Sequence, residues 1–306
     1  MAHVALQIFK ETDGIMDKVG DHGRFVWYEL MTTDVASAKA FYGSVVGWKS
    51  QDASTPNLSY TVLSAGKTPV GGLIDLPAQA TKKGARPRWA GYVAVDDVDA
   101  IARGFRRLGG TVYVPPTDTN IGRISVVADP QTATLALVSG LKPIRSRTSG
   151  LREVGHVGWH ELLAEDWKKA FAFYGELLGW RKTKGDTEPS DEYQLFAASG
   201  QMMGGMFTKR PMEPIPFWLY YFNVGDLDAA MERVRAGGGQ VFEGPYILPD
   251  DSWFARCRDP QGAAFAIQGT RGPDAIKRAP ASDLNWSTEW GGVSSRGKLQ
   301  VPKPGK

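Results

Sequence analysis

The sequence lacks the features of disulfide-bonded, secreted and membrane proteins. Its one cysteine, Cys257, cannot form an internal disulfide, so the fold does not depend on an oxidising compartment. No segment approaches the roughly 18 consecutive apolar residues of a membrane-spanning helix. The short apolar run at residues 4–9 follows no basic residue and makes a poor signal peptide. We therefore expect no membrane partner and a cytoplasmic location.

An excess of one charge is also missing. The 36 Lys and Arg residues nearly balance the 33 Asp and Glu residues, which leaves a formal net charge of +3. We therefore expect no nucleic-acid partner. The apolar fraction of 42% is ordinary for a soluble globular protein. The length of 306 residues suffices for about two domains.

An internal repeat is the strongest feature that the sequence does have. The segment WYELMTTDVASAKAFYGSVVGW begins at Trp27, and WHELLAEDWKKAFAFYGELLGW begins at Trp159, 132 positions later. Further matches follow in the same order: a Gly-Gly pair, VDDVDA with VGDLDA, a second Gly-Gly pair, and ADPQ with RDPQ. Colinear matches of this extent predict two copies of one domain.

Each copy contains a weaker repeat of its own. A strand-like run leads to an aspartate, an amphipathic helix follows, and a glycine ends the helix. Aspartate suits the N-cap because its carboxylate accepts the orphan backbone N–H groups, and glycine suits the position after the last turn. The four aspartates are Asp34, Asp97, Asp166 and Asp226. With about three short strands after each helix, the pattern predicts an α+β fold of four βαβββ modules, two per domain.

Composition sets the expected boundaries. Residues 24–140 and 155–270 are predicted to form the two domains. Residues 1–23 would be an N-terminal extension, and the polar, basic segment 141–154 a linker. Residues 271–306 are rich in Pro, Gly, Ser and Lys, as expected of a flexible tail.

Paired βαβββ modules with these sequence phrases resemble the glyoxalase / bleomycin-resistance superfamily, the vicinal oxygen chelate proteins. The resemblance covers both predicted domains. The chain resembles in particular the two-domain bacterial proteins labelled glyoxalase-like, hydroxylase-like or secreted-antigen-like. The resemblance implies two tandem domains, each an eight-stranded cup that holds a divalent metal. In the family, His, Glu or Gln side chains from the first and late strands bind that metal.

The family's metal-binding positions carry no metal ligands in this sequence. Carried over one at a time, three positions per domain fall on Trp27, Ala90 and Ala136, and on Trp159, Leu219 and Ala266. Trp, Ala and Leu cannot bind a hard or borderline cation. The fourth position is too loosely aligned to assign, with Asp75 and Thr208 as the candidates near it. We therefore expect no metal and no other cofactor.

The histidines do not replace the missing ligands. His156 and His160 share a strand face that alternates with Trp159. If Trp159 faces the cup, both histidines face away from it.

Strand alternation predicts what lines the cups instead. Each cup receives a tryptophan, a tyrosine, a carboxylate and two small or apolar residues. The ligand-binding candidates are Trp27, Tyr92 and Ala136 in the first domain, and Trp159, Leu219, Tyr221 and Ala266 in the second. An apolar, aromatic cavity with one polar group suits a small molecule, although the indoles could equally fill the cup as core.

Glu29 and Glu161 are the catalytic candidates, because they lie two residues along from Trp27 and Trp159 on the same strand face. Each could act as a general acid or base. Each could equally be a structural carboxylate that a nearby arginine or backbone N–H satisfies.

Three functions remain open at this point. The first is a metal-independent protein that binds an apolar or aromatic small molecule in one or both cups, like the drug-sequestering, bleomycin-resistance-like members. The second is a lyase, isomerase or hydroxylase-like enzyme that uses Glu29 or Glu161. The third is a structural or interaction protein whose cups are plugged by tryptophan. The sequence leaves the oligomeric state open.

Overall fold

The computed structural model describes residues 21–56, 58–82, 84–119, 121–141, 152–183, 193–211, 213, 215–248 and 251–272. Nearly all of the predicted N-terminal extension, most of the predicted linker and nearly all of the predicted tail lie outside the described residues. No helix in the described part is long and apolar enough to cross a membrane.

The first domain forms one mixed sheet of eight strands. Its strands are β1 (Phe25–Thr32), β2 (Lys49–Asp52), β3 (Tyr60–Ala65), β4 (Thr68–Asp75), β5 (Arg88–Ala94), β6 (Thr111–Thr119), β7 (Gly122–Ala128) and β8 (Thr134–Ser139). Its helices are α1 (Val35–Val45), α2 (Ala78–Lys82) and α3 (Val98–Arg107). The strand order is β2-β3-β4-β1-β5-β8-β7-β6, so the first strands of the two modules, β1 and β5, pair at the centre.

The second domain repeats this arrangement. Its strands are β9 (Val157–Ala164), β10 (Arg181–Lys182), β11 (Tyr193–Ala198), β12 (Gln201–Thr208), β13 (Phe217–Asp226), β14 (Gln240–Ile247), β15 (Trp253–Arg258) and β16 (Ala264–Thr270). Its helices are α4 (Trp167–Leu178) and α5 (Leu227–Ala236). The strand order β10-β11-β12-β9-β13-β16-β15-β14 matches the first sheet position by position. The predicted α+β fold of two tandem eight-stranded domains is confirmed.

The four predicted helix starts are confirmed. Asp34, Asp97, Asp166 and Asp226 lie at the N-caps of α1, α3, α4 and α5, and each carboxylate accepts a hydrogen bond from a backbone N–H in the first turn. Gly179 ends α4 in the left-handed conformation, with φ of 68°.

The helix-bearing faces of the two sheets share a single core. That core draws buried residues from both domains, whereas the opposite face of each sheet carries a separate apolar cluster. Helix α1 packs against α5, and α3 packs against α4. Because these faces meet between the domains, the two cups open on the opposite sides of their sheets.

Reciprocal hydrogen bonds join the domains. The Tyr42 hydroxyl donates to Asp259 Oδ2, and the Tyr174 hydroxyl donates to Asp129 Oδ2, both at 3.1 Å. These aspartates belong to the repeated Asp-Pro-Gln segments, and these tyrosines to the repeated Phe-Tyr-Gly segments. Much of the sequence repeat is therefore interdomain interface.

Candidate functional site

We call the inner face of the first sheet cup 1 and that of the second sheet cup 2. Trp27, Tyr92 and Ala136 pack together in cup 1 with Val62 of β3 and Val138 of β8. Leu219, Tyr221 and Ala266 pack together in cup 2, and Trp159 packs against them. The structure thus brings the predicted ligand-binding candidates together in their two cups, and their roles stay predictions.

A hydrogen-bonded set of four side chains forms the floor of cup 1. The Trp27 indole Nε1 donates to the Tyr60 hydroxyl at 3.0 Å, and the Tyr92 hydroxyl donates to Glu29 Oε2 at 2.8 Å. Tyr60 also hydrogen-bonds Glu29. Three aromatic side chains from β1, β3 and β5 therefore surround one carboxylate.

Glycine at one position of β4 makes this floor possible. A Cβ atom on Gly72 would overlap the Tyr60 hydroxyl and ring, and one on Gly205 would overlap Tyr193 in the same way. Tyr60 and Tyr193 were not among the predicted site residues. Their signal in the sequence was a tyrosine twelve positions before the second glycine of each first Gly-Gly pair.

The same set of side chains occurs in cup 2. The Trp159 indole donates to the Tyr193 hydroxyl at 2.9 Å. The carboxylate of Glu161 accepts from Tyr193 at 3.0 Å on Oε1 and from Tyr221 at 2.6 Å on Oε2. Each cup therefore holds one Trp, two Tyr and one Glu in equivalent positions.

Cup 2 differs because an arginine reaches its glutamate. Arg256 of β15 donates to Glu161 Oε2 at 2.6 Å and to Glu243 Oε2 at 2.9 Å. Arg210 donates to Glu243 Oε1 at 2.6 Å. The side chains of Arg256 and Glu161 are each 6% exposed. An alternating chain of charges therefore lies in cup 2, and an arginine satisfies Glu161.

Valines replace this ion pair in cup 1. Arg256 pairs with Ala266 of β16 in the sheet register, and Val126 pairs with the equivalent Ala136 of β8. Opposite Val126 on β6 lies Val114, in the place of Glu243 opposite Arg256. Val114 is 38% exposed, and Val126 and Ile124 are partly exposed. Cup 1 therefore has an apolar, partly open wall.

The surroundings of Glu29 raise its pKa. Glu29 keeps a partly exposed surface, but protein atoms crowd it, and this desolvation raises its pKa against the hydrogen bonds from Tyr92 and Tyr60. Burial and the charge of Glu29 raise the pKa of both tyrosines well above the ordinary value. In the described part of the chain no ion pair includes Glu29.

A cation, Arg88 of β5, lies on the cup 1 face, but among the described residues it does not pair with Glu29. Arg88 shares its face of β5 with Ala90 and Tyr92 and pairs in register with Met31. Its Nε is buried without a hydrogen-bond partner among the described residues, and burial lowers its pKa. The electrostatic neighbour of Arg88 is Tyr113 of β6. Such a guanidinium can donate a hydrogen bond to an oxygen atom of a ligand.

The family model of the Glyoxalase/Bleomycin resistance protein/Dioxygenase superfamily matches residues 24–137 and 153–267. Each matched segment contains one eight-stranded sheet except for the last two or three residues of its final strand. The chain belongs to this superfamily.

Two relatives are similar to this chain over most of their length. The putative glyoxylase CFP32 of Mycobacterium tuberculosis is 34% identical over 245 residues, which cover 79% of this chain and 92% of that protein. The anthracycline biosynthesis protein DnrV of Streptomyces peucetius is 30% identical over 262 residues, which cover 80% of this chain and 92% of that protein.

Solved structures of the superfamily share the fold. The Mn(II)-bound glyoxalase from Novosphingobium aromaticivorans has a TM-score of 0.57 and 15% identity, covering 93% of this chain and 95% of that chain. The 2,3-dioxygenase LapB from a Pseudomonas species has a TM-score of 0.55 and 12% identity, covering 84% of this chain and 96% of that chain. At these identities the likeness concerns the fold alone.

The residues of this superfamily member do not fit the divalent metal that the fold implies. No group of three or more His, Cys, Asp or Glu side chains among the described residues could hold a metal ion. The floor of each cup offers one carboxylate, and its oxygens bind tyrosines or arginine. Asp75 and Thr208, the candidates for the fourth position, lie exposed at the ends of β4 and β12.

His156 and His160 lie away from the cups, as expected. The ring of His160 is buried between the domains, where Nε2 lies 2.6 Å from the Tyr28 hydroxyl and Nδ1 lies 2.6 Å from the Met203 carbonyl oxygen. A cavity of about 40 Å³ lies between the domains, and both His156 and His160 line it. This volume holds roughly one or two water molecules.

Proposed function

We propose that this superfamily member binds an aromatic small molecule in cup 1 without a metal. The observation that carries the proposal is the contrast between the cups. Both retain the Trp-Tyr-Tyr-Glu floor, but in cup 2 the buried Arg256 pairs with Glu161 of that floor and with Glu243. In cup 1 Val126 and Val114 lie at the positions of Arg256 and Glu243, so this side of the cup is apolar, and Glu29 has no ion-pair partner among the described residues.

The chemistry of cup 1 suits a flat ligand. Ligand sites are mostly apolar, with a few placed polar groups that fix orientation. The aromatic floor and the valine wall supply the apolar surface, Glu29 supplies a polar group at the floor, and Arg88 supplies a donor on β5. The relative DnrV is named for anthracycline biosynthesis, and anthracyclines are planar polycyclic aromatics, which supports this ligand class.

The donor set supports a metal-independent mode of binding. The positions from which the family's ligands would come are Trp27, Ala90 and Ala136 in cup 1, and none has a donor atom for a divalent cation. The oxygens of Glu29 accept hydrogen bonds from two tyrosines. Binding would therefore rest on stacking, burial of apolar surface and hydrogen bonds.

Binding can be measured by calorimetric titration of the full chain with dihydroxyanthraquinone, with and without EDTA. We expect one equivalent to bind with the same affinity in both buffers. Trp27→Phe should weaken binding about tenfold, because the smaller ring loses stacking area and the hydrogen bond to Tyr60. Trp159→Phe is the matched control in cup 2 and should leave the affinity unchanged. Equal effects of the two substitutions, or loss of binding in EDTA, would contradict the proposal.

A second function, acid–base catalysis in cup 1, is favoured by the raised pKa of Glu29. Desolvation brings a carboxyl closer to the pH at which proton transfer is efficient. If a bound compound is turned over, Glu29→Gln should lower kcat at saturating substrate by about a hundredfold or more. Product formation by mass spectrometry is the readout, and an unchanged kcat in Glu29→Gln would remove this candidate.

A further inference from the structure

The two cups provide an internal comparison of one binding floor with and without a cation. In cup 2 the guanidinium of Arg256 lies on Glu161. It also lies 5.5 Å from the ring centre of Phe207 and 5.9 Å from that of Phe254. A buried carboxylate and aromatic rings together are a favourable setting for a cation. In the second domain the glutamate of this floor thus binds a cation.

Cup 1 keeps the floor, but no cation among the described residues pairs with Glu29. The equivalent of Arg256 is Val126, whose side chain is too short to reach Glu29 and carries no charge. A carboxylate crowded by protein atoms is costly to ionise unless a positive charge accompanies it. A positive group from outside the chain would therefore gain most from pairing with Glu29, on the side of the cup where Val126 replaces the arginine.

We propose that the ligand of cup 1 carries a cationic nitrogen, an ammonium or guanidinium group, that pairs with Glu29 in the place Arg256 takes in cup 2. This inference rests on the proposed function and names the class of ligand: an aromatic body with a basic nitrogen. The nitrogen would form a charge-assisted hydrogen bond with the carboxylate. The neighbouring Trp27, Tyr60 and Tyr92 present aromatic surface that attracts a cation further.

The other charge on this face is compatible with such a ligand. Arg88 pairs in register with Met31, two residues along β1 from Glu29, and its electrostatic neighbour is Tyr113. A ligand whose nitrogen lies on Glu29 would direct its aromatic body toward the valine wall and its oxygen acceptors toward Arg88. An anionic ligand on the floor of cup 1 would instead meet the like charge of Glu29.

The test compares three probes of nearly the same shape in calorimetric titrations of the full chain. They are naphthylmethylamine, which is a cation at neutral pH, naphthylmethanol, which is neutral, and naphthoate, which is an anion. We expect the amine to bind about tenfold more tightly than the alcohol, and naphthoate to bind more weakly than either. The alcohol reports on the aromatic site itself, and the amine reports on the cation site.

Two variants locate the effect. Glu29→Gln should weaken amine binding about tenfold and leave alcohol binding within about twofold, because it removes the charge and keeps the shape. Val126→Arg places the cup 2 cation in cup 1, and should weaken amine binding at least as much as Glu29→Gln does.

Equal affinities for the amine and the alcohol, or amine binding that Glu29→Gln leaves unchanged, would overturn this inference and leave the proposed function standing. Binding of none of the three probes to the wild-type chain would overturn the proposed function, and the inference with it.

Discussion

Glu161→Gln should lower the free energy of unfolding by about 3–5 kcal/mol, the usual cost of removing one partner from a buried ion pair. The substitution leaves the Arg256 guanidinium, 6% exposed, without its strongest partner. Burial alone would lower the pKa of Arg256, but the charges of Glu161 and Glu243 raise it well above its ordinary value. In the variant Glu243 still accepts from Arg256, and a guanidinium is not deprotonated in proteins, so the arginine stays charged and the folded state is destabilised.

Glu29→Gln, the same substitution at the equivalent position, should leave stability at pH 7 unchanged or slightly higher. The pKa of Glu29 is raised in the folded protein. For a carboxyl with a raised pKa, the folded state is penalised once the pH exceeds the unfolded pKa, because ionisation is easier in the unfolded chain. Glutamine removes this penalty, so any gain should grow as the pH rises above the ordinary glutamate pKa.

Urea unfolding of both variants and the wild type, at pH 7 and near pH 5, measures the difference. The double substitution of Glu161→Gln with Arg256→Met should recover part of the lost stability, because both charges of the Arg256–Glu161 pair are then removed. Equal losses for Glu161→Gln and Glu29→Gln would show that the arginine does not distinguish the cups.

The repeat and the period of the apolar residues were enough to predict the fold. Two units with the same helix caps, such as Asp34 and Asp166, and the same Gly-Trp endings must fold alike. Strand alternation also placed Trp27 and Glu29 on one face, because alternation is a local property of a strand. These features depend on neighbours within a few residues, which a single sequence records directly.

The difference between the cups could not be predicted in this way. Arg256 lies on β15 and Glu161 on β9, and their contact depends on how strongly the sheet curls. Of the two interpretations of the glutamates, satisfaction by an arginine holds for Glu161, whereas no such arginine pairs with Glu29 among the described residues. Two residues that the sequence treats as equivalent therefore have different surroundings.

This difference also bears on the third function, a protein with plugged cups. In cup 2 the side chains of Arg210, Glu243, Arg256 and Glu161 form an ion network, and the indole of Trp159 is partly exposed, so this indole does not plug the cup. Satisfied buried networks rigidify the elements that they join. Under the proposed function, this network supports the second sheet, and cup 1 is the binding cup.

Trp180→Ala should destabilise both domains together by about 3–5 kcal/mol, as large deletions in packed cores do. The indole of Trp180 is 1% exposed and stacks on Phe196, with ring centres 4.5 Å apart. It also packs on Phe25 of the first domain, and its Nε1 donates to the Gly23 carbonyl oxygen at 2.7 Å. Alanine would leave a cavity in the second domain and an unsatisfied carbonyl at the start of the first.

Hydrogen exchange resolved by mass spectrometry separates the two domains in this experiment. Protection should fall in β1 and β5 of the first domain as well as in β9 and β13 of the second, because one core serves both. Trp48→Ala is the matched variant: its indole donates to the Gly155 carbonyl oxygen at 2.6 Å and packs on Phe222 of the second domain. Trp180→Phe keeps most of the ring contacts and should cost much less than alanine. Loss of protection confined to the second domain in Trp180→Ala would mean that the domains unfold independently despite their common core.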